Sequence, residues 1–103
     1  ENVESSFCEK AKNVYANYLN RSAWKMAELD SNLNEALSKI DKGLGLINDS
    51  NNSLPYLLDT KAEILWKLNE NEKAVEIINR AILLDTETKY YQEQKEKFLN
   101  IIN

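Results

Sequence analysis

Two carboxylates, Asp59 and Glu63, stand four residues apart, so on a helix they share a face one turn apart. Such a pair can divide acid and base work when its surroundings push the two pKa values apart. That chemistry also needs a group to relay the proton or hold a metal. The chain has no His and one Cys, so it lacks His-based relays, the usual zinc ligand sets and any internal disulfide. No enzymatic activity, metal or cofactor is therefore expected of it. Two roles remain open for Asp59. It bonds to Asn20 or to the indole N–H of Trp24 and locks neighbouring helices together, or it faces a binding partner. The bonded role is preferred, because buried polar groups need hydrogen-bond partners. The tryptophans, Trp24 and Trp66, lie beside apolar stripes and not in the middle of them. Trp24 is expected to pack on a neighbouring helix; Trp66 fits packing and an aromatic wall for a bound peptide equally well. Cys8 lies at helical spacing from Phe7 and Ala11 and is expected to be a buried or half-buried thiol.

The elements that must position these residues are legible from spacing. Leu58, Ala62, Leu65 and Leu68 form one helical stripe; after a polar break at Asn69-Glu70-Asn71 a second runs through Ala74, Ile77, Ile78, Ala81 and Leu84. Two stripes joined by a few polar residues predict an antiparallel hairpin, with the small residues marking close helix crossings. The pattern occurs again upstream. Leu19, Ala23, Met26 and Leu29 precede their counterparts by 39 residues, and Ala36, Ile40, Gly43 and Leu44 precede Ala74, Ile78, Ala81 and Ile82 by 38, so the upstream hairpin loop is one residue longer.

A helix-turn-helix repeat of this kind resembles the tetratricopeptide repeat, whose unit is about 34 residues; the linker Asp49 to Leu54 accounts for most of the excess. The Gly usual in the family's intra-repeat turn is replaced by Asn69 and Ser31, and Asn tolerates the left-handed conformation. The resemblance implies an all-α fold of antiparallel hairpins stacked as a short right-handed solenoid. It places repeat 1 at about 17–48, repeat 2 at about 55–86 and a capping helix at about 87–102, all within a single domain. It also implies a concave groove lined by Asn20, Trp24, Asp59, Glu63 and Trp66, which would bind a protein or peptide partner. LNRSAW and LLDTKAEILW are similar, in addition, to a helical tail of bacterial thioredoxin-fold envelope proteins. That likeness implies an alternative function, as a structural or docking appendage whose redox chemistry lies outside this chain, and a cytoplasmic or cell-envelope location.

Bulk properties narrow the classes further. The chain has 103 residues, one Pro, two Gly and 43% hydrophobic residues, which suits one small helical domain. The net charge of −4 and the scattered Lys and Arg argue against a nucleic-acid surface. No apolar run is long enough to cross a bilayer. The beginning, ENVESSF, lacks the charged and apolar regions of a signal peptide, and the chain is expected to be a processed protein or a domain of a longer one. Ser6 and Glu9 have capping-box form and predict a helix start near Ser5, running to about Asp30 or bending near Asn17–Asn20, with Phe7, Ala11, Val14, Tyr15, Tyr18, Leu19, Met26 and Leu29 on one broad stripe. Asn32 with Glu35 predicts a second start, Ser53 with Pro55 a third, and Asp85 with Thr86 a last one. In that last helix Tyr91, Gln94 and Phe98 form the stripe expected to cover the second hairpin.

Overall fold

Five α-helices and no strand make up the described chain in the computed structural model, which describes residues 3–100: α1 (Val3–Glu28), α2 (Leu33–Gly45), α3 (Leu54–Lys67), α4 (Asn71–Leu84) and α5 (Lys89–Leu99). α1 is continuous through its asparagines. It begins two residues before the expected start, so Ser6 and Glu9 lie inside it. The last turn expected through Ile102 falls outside the described residues.

The two hairpin turns are built alike. In the first, the Asp30 amide donates to the Ala27 carbonyl and the Ser31 amide to Met26; in the second, Asn69 donates to Trp66 and Glu70 to Leu65. Each pair of bonds closes a helix end around one residue in the left-handed region, Asp30 at φ 50° and Asn69 at φ 66°. Asn69 does what the sequence suggests. In the first turn, however, Asp30 and Asn32 carry positive φ and Ser31 does not. Asp30 precedes Asn69 by 39 residues, the same offset as in the first helices, so the extra loop residue comes after the shared turn and brings in Asn32 at φ 52°.

Between α2 and α3 the asparagines tie the linker. Asn48 Oδ1 accepts from the Ser50 amide and hydroxyl, Asn51 Oδ1 from the Ser53 amide, and Asn51 Nδ2 donates to Asn13 Oδ1 on α1 at 2.7 Å. Ser53 precedes α3 and Pro55 sits in its first turn, where a missing amide costs nothing. At the last connection Asp85 accepts from the Thr88 hydroxyl at 2.7 Å, and Thr88, not Thr86, is the residue before the helix.

Buried side chains fall into two clusters. Ala16, Ala23, Ala27, Ile40, Leu57 and Ile64 join α1, α2 and α3; Leu58, Ala62, Leu65, Ala74, Ile78, Ala81, Tyr91 and Phe98 join α3, α4 and α5. Three matched pairs have matched burial, Ala23 with Ala62, Ala36 with Ala74 and Ile40 with Ile78, all fully buried, whereas Leu29, matched to half-buried Leu68, is 68% exposed. Gly43 lets α2 approach its neighbours, since a Cβ there would stand 3.1 Å from Leu57 Cδ2 and 3.4 Å from the Ala16 carbonyl.

α1 corrects two expectations. Its buried stripe is Ala16, Leu19, Ala23 and Ala27, whereas Ala11, Val14, Tyr15 and Tyr18 are exposed, as is Cys8. For Cys8 the cause is length, since 26 residues rise about 39 Å and the 13 of α2 cover about half of that; Val14, Tyr15 and Tyr18 are exposed because they lie off the buried stripe.

Candidate functional site

Among the described residues α3 is the one helix in contact with all four others. Its sides are shared out accordingly. Leu57 and Ile64 serve the first cluster, Leu58, Ala62 and Leu65 the second, and the stripe Asp59, Glu63, Trp66 is left to meet α5. A helix apolar all round would need no polar partner there; this one does.

The partner is Gln94. Its Nε2 donates one hydrogen to Asp59 Oδ1 and the other to Glu63 Oε1, both at 3.0 Å. Lys97, one turn on, donates from Nζ to the same Glu63 oxygen at 2.8 Å. That ammonium also sits 4.3 Å from the centroid of the Trp66 ring, inside the range where a cation is drawn to an aromatic face. Trp66 in turn tilts against Phe98 at 5.9 Å. The result is a layered seat of carboxylate, ammonium and indole, with an amide bridging the two acids beneath it.

Electrostatics follow from that geometry. Asp59 is pushed up to about 6, above all by burial; Glu63 beside it adds to the shift, while the Gln94 hydrogen bond and Lys97 oppose it. Tyr91 is pushed up to about 12 by burial and by Asp59, Tyr56 and Asp85. The Tyr90 hydroxyl is held above its ordinary value by burial first, then by Asp59, Glu63, Tyr91 and Glu28. Carboxylates from α1 and α3 thus act on one hydroxyl of α5.

The five residues singled out from the sequence fall into two groups. Asp59, Glu63 and Trp66 come together, with the two acids only 8% exposed beneath α5 and Trp66 half-buried beside an open depression that Asp30, Lys67 and Asn69 also line. Asn20 and Trp24 are half-buried on α1 and do not bond to Asp59, whose partner is Gln94. The Asn20 Oδ1 atom is sealed from solvent without a hydrogen-bond partner, an arrangement that costs about 1 to 3 kcal/mol.

Neither carboxylate is placed as a free acid or base, since both accept from Gln94 and Glu63 also from Lys97. What the arrangement does well is hold a cation between a carboxylate and an indole. Gln94 and Lys97 were the residues missed as members of the site. A signal was present: Gln94 is the one amide in an otherwise apolar stripe of α5, and a buried amide must find partners.

No protein-family model, curated protein or solved structure matches the chain. Its functional reading rests on its own residues.

Proposed function

We propose that this chain is a protein-interaction module of the tetratricopeptide kind, which binds a basic segment of a partner along the face shared by α1, α3 and α5. The observation that carries the proposal is the seat of Lys97: Glu63 and Trp66 already hold one lysine ammonium in cis, at 2.8 Å and 4.3 Å. A second lysine or arginine arriving along the same face meets Asp30 and Trp66, which line the open depression beside that seat. Support for the repeat kinship comes from the pattern of contacts. Each helix touches the next, α1 touches α3 and α3 touches α5, while α2 and α4 do not meet. A stack of hairpins with the first helix of each pair on one side has this pattern, and the matched turns at Asp30 and Asn69 agree with it.

With two hairpins the face is small, near or below the roughly 600 to 800 Å² per partner of specific interfaces, so binding by the isolated chain is expected to be weak. The test is a nuclear magnetic resonance titration of the labelled chain with pools of lysine-rich and arginine-rich peptides, using glutamate-rich pools as controls. The indole N–H signals of Trp24 and Trp66 are separate reporters of the two halves of the face. Basic pools should shift the Trp66 signal and amides of α3 and α5, and acidic pools should not. Shifts confined to α2 and α4, or none up to millimolar peptide, would reject the proposal.

A further inference from the structure

Two exposed apolar patches lie outside that face, and the charged residues that line each are of one sign. On α1, Ala11, Val14, Tyr18 and Arg21 follow one another at three- and four-residue steps. Their side of the helix is opposite the buried stripe Ala16, Leu19, Ala23, Ala27. Val14 is 70% exposed and Tyr18 53%, and Tyr15 stacks on Tyr18 with centroids 6.4 Å apart. The rim is cationic. Lys10 and Arg21 line the patch, Lys42 reaches from α2 to 5.3 Å from the Tyr15 ring, and no acidic residue occurs between Lys10 and Ala27.

The second patch lies at the other end of the helix order, between the start of α4 and the end of α5. Val75 and Leu99 supply its apolar surface over buried Phe98, Glu72 and Glu76 flank it, and among the described residues no basic side chain lines it. Lys73, next to Glu72 in the chain, is paired with Glu70 at 3.8 Å. Leu99 is 57% exposed.

We propose that the chain associates head to tail with a second copy of itself, the outer stripe of α1 in one copy docking on the α4–α5 edge of the next. Charge complementarity selects this occupant. The basic rim of one patch meets the acidic rim of the other, whereas α1 against α1, or the acidic edge against itself, would set like charges across the contact. Two different surfaces in contact make a heterologous interface, so the association is open-ended and does not stop at a symmetric pair. The tyrosines supply rigid amphipathic area of the kind that anchors interfaces. Because the patches are small and the charges exposed, the association is weak and weakened further by salt.

Sedimentation velocity on the whole chain tests this. The average mass of the wild type should climb above the monomer as concentration approaches millimolar, and fall back at high salt. Val14→Asp with Tyr18→Glu blocks one face, and Glu72→Lys with Glu76→Lys blocks the other. Each double variant alone should remain a monomer, while an equimolar mixture should form a one-to-one dimer and nothing larger, since each variant keeps the face the other has lost. A wild type that is monomeric throughout, a mixture that stays monomeric, or self-association that survives in either variant overturns the proposal. If a variant loses its helical circular dichroism, dilution of the labelled wild type decides. Amide signals of α1 and of the start of α4 should move together with concentration, and movement on one of the two faces alone, or on neither, refutes head-to-tail contact.

Discussion

At the scale of single residues, Asp59 is the most consequential side chain, because it is buried as a potential anion and yet satisfied. Its pKa near 6 lies above the ordinary 3.8, which fixes the sign of its linkage to folding. The folded state binds this proton more tightly than the unfolded one. Asp59 therefore favours the fold fully below about pH 3.8, and that contribution is lost as pH rises through about 6, by an amount on the order of 2 to 3 kcal/mol. Asp59→Asn removes the titration and keeps an oxygen to accept from Gln94. Urea unfolding should show the variant about 1 to 2 kcal/mol more stable than wild type at pH 7 and no more stable at pH 4; a difference that does not change between the two pH values would place Asp59 in contact with water. Gln94→Leu tests the bridge from the other side. It strips both acids of a donor inside a covered site, and should cost about 2 to 3 kcal/mol at neutral pH by the same measurement. The sequence put Asp59 and Glu63 on one face and asked what they bond to, but it named Asn20 and Trp24. Partner choice depends on which helix lies over that face, and this is set by the angle at which α5 returns after Asp85, a quantity no residue spacing encodes.

At the scale of elements, the stripes of α2 and α3 read directly, whereas in α4 Ala74, Ile78 and Ala81 are buried but Leu84, expected at the end of the stripe, is 48% exposed. α1 was misread for a physical reason: it carries two apolar stripes on opposite sides, and periodicity alone cannot say which is buried. Alanine decides it. The small residues Ala16, Ala23 and Ala27 mark the side where α2 and α3 approach closely, while the tyrosines of the other stripe would hold a neighbour away. The glycines of α2 make the same point in a form that can be measured. Gly45 has open space where a Cβ would go, so Gly45→Ala should stabilise the chain by about 0.5 to 1 kcal/mol through backbone entropy alone. Gly43 has the same helical backbone, but its Cβ would press on buried Leu57 at 3.1 Å, so Gly43→Ala should forfeit most of that gain. Thermal unfolding of the two variants side by side checks the contrast, and an equal gain at both positions would mean that α2 stands further from α3 than described. On the far side of α3, Ala81→Leu adds methylenes at a fully buried crossing and should cost about 1 to 3 kcal/mol.

At the scale of the whole molecule, the helices form a slab of 54 × 31 × 16 Å in which each helix contacts the next, α1 meets α3 and α3 meets α5. No central core holds all five helices at once, and stability should grade outward from α3. Its own Leu57, Leu58, Ala62, Ile64 and Leu65 are all buried, and the Gln94 bridge lies over its acids. α2 and α4 each face fewer helices, and α1 extends past α2 with Cys8, Lys10 and Lys12 all exposed. Amides open by local unfolding where few buried contacts would be lost, and by global unfolding where many would. Hydrogen exchange should therefore be slowest in the second half of α3, from Ala62 to Leu65, faster through α2 and α4, and fastest in the first turns of α1. The fluctuation that frees α5 has a particular signature: it exposes Asp59 and Glu63 together, so exchange in α5 should respond to Gln94→Leu while exchange in α1 does not. Uniform protection from α1 to α5, or an equal response at both ends, would show one cooperative core in place of two clusters.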